Sequence, residues 1–190
     1  GKVAAANVGN VGDLENRVST QIEGLLGEEN APSRTAETVA FQKDARQPTQ
    51  IRADDVKKAP PTRPTRVQAD SLIGQPAPTF SLTTVDGKPL SNDTLDDVQA
   101  TVLNFFANNC GFCKKQIPRV EALRKEYEAK GVRFVNVAET MRQEFTEEQT
   151  MDLMKQIGWS GELARDPQNI VGPPFGANGF PTTIVVGKEC

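Results

Sequence analysis

The apolar run Thr101-Val-Leu-Asn-Phe-Phe106 stops just short of Cys110, and past Cys110 the residue pattern changes at once. β-Branched and aromatic residues in a run this short fit a buried strand. From Gly111 to Lys130, Ile117, Val120, Leu123 and Tyr127 recur at helical spacing. A strand therefore hands over to a helix across Cys110-Gly-Phe-Cys113. Val132-Arg-Phe-Val-Asn-Val137 reads as a second strand. Thr146-Glu-Glu-Gln149 has capping-box spacing and opens a helix carrying Leu153, Met154 and Ile157, which Gly158 is placed to stop. Thr182-Thr-Ile-Val-Val186 is a third strand. Strand, helix, strand, helix, strand predicts an α/β layer with a parallel pairing and one added strand.

The first 72 residues have a different character. They hold a single aromatic residue, Phe41, while ten basic and ten acidic residues cancel and prolines gather at Pro60, Pro61 and Pro64. Such a stretch buries too little apolar surface to offset chain entropy. Val11 to Leu26 is the exception, because Leu14, Val18, Ile22, Leu25 and Leu26 share one helical face and Gly27 can end the helix. The expected organisation is therefore an amphipathic helix near 11–26 that rests on a neighbour, a disordered Pro-containing linker up to residue 72, and a folded domain over 73–190. A net charge of −3 argues against a nucleic-acid partner. No apolar run approaches the roughly 20 residues of a membrane-spanning helix.

Cysteine usage sets the chemistry. The chain has three cysteines and no histidine, which excludes imidazole catalysis, and no second Cys-x-x-Cys pair exists to complete a zinc ribbon. No metal or other cofactor is expected. At a helix N-terminus, Cys110 meets unpaired backbone N–H groups and the positive end of the helix dipole. Both favour the thiolate, which is the attacking species. Cys113, one turn on, can close a disulfide and release a mixed one.

Phe106-Ala-Asn-Asn-Cys-Gly-Phe-Cys-Lys-Lys-Gln-Ile-Pro118 resembles the active-site stretch of TlpA/ResA-type thioredoxin-like proteins. Ile73-Gly-Gln-Pro-Ala-Pro-Thr-Phe80, Thr84-Val-Asp-Gly-Lys-Pro-Leu90 and Gly179-Phe-Pro-Thr-Thr183 resemble that family's opening segment, early hairpin and cis-proline loop, in the same order. The resemblance implies a thioredoxin-like fold, a central mixed sheet flanked by helices, over about residues 73–190. It implies a thiol–disulfide oxidoreductase with Cys110 as nucleophile and Cys113 as resolving cysteine. Pro181 would be the cis-proline, exposing the Phe180 backbone to a substrate strand. Separately from the resemblance, the surface around Phe112 and Phe180 is expected to meet substrates. Partners would be disulfide-containing or dithiol proteins, in a periplasmic or membrane-tethered setting, with a tether preceding Gly1. That family's fold continues past Val186 with an edge strand and a closing helix, so the C-terminal strand and helix are expected to be missing here.

Some positions depart from the family. Asn109 and Phe112 replace residues common around the cysteines, Asn104 stands where thioredoxins proper bury an aspartate, and Gln116 where some ResA-like members carry a glutamate. Cys190 reads as incidental. Three other functions use the same fold: a peroxiredoxin-type peroxidase, a non-catalytic binding module and a Cu(I) carrier. Peroxidases place a threonine three residues before their cysteine, where this chain has Ala107. Cu(I) suits paired thiolates, but no histidine is present to assist.

Overall fold

The computed structural model describes residues 1–8, 13–27, 67–140 and 143–188. Strand β4 (Ala100–Phe106) is buried at every position, and its side chains alternate between two apolar layers. Val102 and Phe106 face one layer, Leu103 and Phe105 the other, as the two-residue period of a strand requires. Strand β5 (Val132–Glu139) runs parallel to β4, and β6 (Glu162–Asp166) parallel to β5. Strand β7 (Thr182–Gly187) lies antiparallel on the other side of β4. A small hairpin, β2 (Ser81–Thr83) with β3 (Pro89–Ser91), precedes a single helical turn, α2 (Asn92–Leu95).

Helix α3 (Gly111–Tyr127) covers one face of the sheet through Ile117, Val120, Leu123 and Tyr127. Helix α4 (Glu147–Gln156) starts on Thr146, whose hydroxyl accepts from the Gln149 N–H while the Gln149 side chain accepts from the Thr146 N–H. Gly158, with φ at +79°, takes the left-handed turn that ends this helix region. Phe80, Leu90, Leu95 and Phe175 fill the opposite layer, where the Phe175 ring meets both Phe80 and Phe105.

The front of the chain corrects the expected domain boundary. Strand β1 (Lys2–Val8) pairs antiparallel with β7, which gives the sheet order β1-β7-β4-β5-β6. Helix α1 (Leu14–Gly27) lies on the α3 side, burying Leu14, Val18 and Ile22. Residues 1–8 and 13–27 thus belong to the same compact unit as residues 67–188. For residues 1–8 and 13–27 the expectation of a segment outside the folded domain fails, because β7 would otherwise show an unpaired edge and α3 an uncovered apolar stripe, while the helix expected near 11–26 does rest on a neighbour. The domain also starts before residue 73, since Ala69 is buried and the Asn178 side-chain amide donates to the Val67 carbonyl. Most of the expected linker, residues 28–66, lies outside the described residues, and so does Cys190.

A candidate redox site at the start of α3

The four residues between β4 and α3 turn the chain so that Cys110 becomes the N-cap of the helix. Its sulfur accepts a hydrogen bond from the Cys113 N–H at 3.1 Å, one of the donors a helix start leaves free. Cys110 and Cys113 are joined as a disulfide, with Cα atoms 5.3 Å apart. The two sulfurs differ in access, because Cys110 is 6% exposed and Cys113 fully buried. An incoming group can reach only the first.

Residues distant in sequence surround the pair. The Phe180–Pro181 peptide bond is cis, and the Phe180 carbonyl oxygen lies 3.6 Å from Cys110 Sγ. Pro181 is buried and Phe180 half-buried, while Phe112 stands out at 65% exposure. The structure thus brings Cys110, Cys113, Phe180 and Pro181 together, with Phe112 exposed on the same helix turn as the cysteines. Lys114 and Lys115 are both exposed.

Beneath the cysteines sits a buried polar network that joins four elements. The Asn104 side-chain amide donates to Asn136 Oδ1, Thr183 Oγ1 donates to Asn104 Oδ1, and Gln116 Nε2 donates to Thr183 Oγ1 at 2.8 Å. All four residues are at most 1% exposed. Sequence reading singled out Asn104 and Gln116 but passed over Asn136 and Thr183. The available signal was a polar residue inside a strand run that is otherwise apolar.

A second missed group lies at the C-terminal ends of β5 and β6. Asp166 accepts from the N–H groups of Ile170, Val171 and Gly172, which pins the loop after β6. Glu139 abuts Gly172 so closely that a Cβ there would collide with its carboxyl group. Burial foremost, with the Asp166 charge and hydrogen bond added, pushes the Glu139 carboxyl up to about 9. At neutral pH it is therefore protonated and donates to Asp166. Among the described residues, no group of three or more Cys, Asp or Glu side chains is arranged to hold a metal ion.

Residues 73–190, well over half the chain, match the AhpC/TSA family. The chain belongs to the AhpC/TSA family. Thiol-disulfide oxidoreductase ResA of Bacillus anthracis is 28% identical over 118 residues, or 62% of this chain and 65% of that protein. Thioredoxin-like protein YneN of Bacillus subtilis is 36% identical over 122 residues, covering 61% and 66%. The chain thus spans slightly less than two thirds of the length of these relatives. Among solved structures, a candidate thioredoxin of Neisseria meningitidis superposes with a TM-score of 0.52 at 28% identity, over 59% of this chain and 72% of that one. The thioredoxin domain of an oxidoreductase from Bacteroides vulgatus, at 20% identity and TM-score 0.51, shares the fold. This AhpC/TSA chain therefore has a thioredoxin-like fold, with the Cys110–Cys113 pair where β4 passes into α3.

Proposed function

We propose that this chain is a thiol–disulfide oxidoreductase that reduces disulfide bonds in partner proteins. The observation that carries the proposal is the Cys110–Cys113 disulfide at the start of α3, with only Cys110 reachable. In the dithiol form, the Cys110 thiolate attacks one sulfur of a partner disulfide and the partner's other sulfur leaves as a thiolate. Cys113, deprotonated in its turn, then attacks Cys110 Sγ, which expels the first partner sulfur and forms the Cys110–Cys113 disulfide. The partner gains two electrons and two protons, and this chain gives up the same. The helix-start N–H that already bonds Cys110 Sγ stabilises its thiolate. Phe112, Phe180 and Pro181 offer an apolar rim, and an extended partner segment can hydrogen-bond to the Phe180 backbone as an added strand would.

Ala107, three residues before Cys110, supplies no hydroxyl to orient a peroxide, which favours reduction of protein disulfides over peroxidase chemistry. The likeness to ResA supports placing the protein outside the cytoplasm, in the periplasm or at a membrane surface. Among the described residues, no helix is long and apolar enough to cross a membrane.

Turnover of insulin disulfides by the reduced protein, compared with its consumption of hydrogen peroxide, tests the reading. Cys113→Ser should trap mixed disulfides through Cys110, and Cys110→Ser should capture nothing. Full reductase activity in both single variants, or turnover of peroxide alone, would sink it.

A further inference from the structure

The β1–α1 segment is bound to the rest of its domain entirely through non-covalent contacts and one long connection. Six residues of β1 find partners along β7, from Lys2 opposite Gly187 to Val8 opposite Thr182. Leu14, Val18 and Ile22 bury at 2% exposure or less in the layer that also holds Ile117, Val120 and Tyr127. The Tyr127 hydroxyl meets Glu23 at 2.9 Å, and Arg119 faces Glu15 at 3.6 Å. Gly187 leaves room for Leu25, whose Cδ2 would lie 2.6 Å from any Cβ placed there. The seat is therefore specific in register, in apolar stripe and in charge.

Seat and segment are nonetheless separable. Residues 28–66 join them, and a connection of that length spans up to roughly 130 Å when extended. A cavity of about 390 Å³, lined by Ala5, Arg17, Gln21, Ile73, Thr183 and Val185, lies between α1 and the sheet. The segment thus rests on its seat along one stripe, without filling the space behind it.

We propose that the outer edge of β7 and the outer face of α3 form an interaction surface for a strand–helix segment, which the chain fills with its own residues 1–27 and which the same segment of a second copy fills by exchange. Every contact named above is made identically whether the segment arrives from its own chain or from another, because none of them involves the connection. Exchange of an identical element is a low-cost route to a dimer. Joining segment and seat in one chain makes self-closure intramolecular and independent of concentration, so it dominates when the protein is dilute. This inference does not rest on the redox reading, since none of the contacts that hold the segment requires the cysteine pair to react.

Ala5 and Val185 are partners across the β1–β7 ladder, so the test is a cross-link between them. Full-length protein carrying Ala5→Cys and Val185→Cys, with Cys110, Cys113 and Cys190 replaced by serine, is passed through denaturant and back at a series of concentrations. It is then oxidised and run on a non-reducing gel. Expected are intrachain cross-links in dilute samples, and an interchain share that rises at least about tenfold between ~20 μM and ~2 mM. Intrachain product alone at every concentration would overturn the exchange. Absence of both products would overturn the seat itself, and insulin reduction by the parent protein would still report separately on the cysteine pair.

Discussion

The two ends of α3 are held in different ways. At its start, the cysteine turn is set by neighbours in sequence: the β4 run, the N-cap at Cys110 and the hydrogen bond back from Cys113. Along its flank, the same helix depends on α1, about a hundred residues earlier, through Leu14, Val18, Ile22 and the Glu23–Tyr127 bond. Local geometry builds the chemistry, while a distant segment closes the fold around it. The difference teaches that a short stretch of chain can set the geometry of a cysteine pair although the domain presenting that pair is closed from far away.

The largest expected effect strikes at the closing segment. Ile22→Ala removes a fully buried side chain from the α1–α3 contact and should cost about 2–5 kcal/mol of stability, read from denaturant melts. In the folded fraction of the reduced variant, Cys110 should still be alkylated faster than the fully buried Cys113. A loss below about 0.5 kcal/mol would mean that α1 does not close the domain, and the contrast between the two ends would collapse.

Glu139 sharpens the comparison from the side of the site. Its carboxyl is held near 9 in the folded protein, mainly by burial, against an ordinary value of 4.5. The folded state keeps this proton where the unfolded state has lost it. Its contribution is thus fully present below pH 4.5 and is lost as pH rises towards 9. Glu139→Gln, which keeps a donor towards Asp166, should therefore be more stable than the parent by about 1–3 kcal/mol at pH 7, with the gap closing below pH 4.5. A gap that does not vary with pH would show that the carboxyl is not protonated in the fold.

Glu121, on the flank of α3, has the opposite sign. Burial works to raise its carboxyl, but hydrogen bonds from Arg124 and Ser160 outweigh it and bring the value to about 2. That stabilisation is present above pH 4.5 and is lost as pH falls through 2. Glu121→Gln should cost about 1 kcal/mol at pH 7 once solvent screening is allowed for, and nothing near pH 2. An equal loss at both pH values would assign the effect to packing.

The smallest stability effect belongs to Phe112. Its side chain is largely exposed, so Phe112→Ala should change stability by less than about 0.5 kcal/mol. Insulin reduction should slow several-fold through weaker capture, visible as a higher KM with kcat retained. Unchanged capture would remove Phe112 from the rim.

Much of this site was written in the sequence. The β4 run, the Cys110 cap, the α3 stripe and the Thr146–Gln149 box are periodic or local signals, and each element formed within a few residues of its expected limits. The position of Pro181 came from resemblance, since no local pattern links it to cysteines some seventy residues away. Strand β6 escaped notice because Glu162-Leu-Ala-Arg-Asp166 has little β-forming character of its own and is recruited by the free edge of β5. Strand β1 escaped for a related reason. Lys2-Val-Ala-Ala-Ala-Asn-Val8 holds three alanines and little β-forming character, and its small side chains fit the ladder that β7 offers. The sequence by itself determined that a Cys-x-x-Cys pair sits between a strand and a helix, because hydrogen-bond patterns and side-chain periodicity act over a few residues. Tertiary structure alone decided which distant segment closes the sheet. Pairing along an open edge rewards any compatible strand, and which strand arrives depends on the rest of the fold.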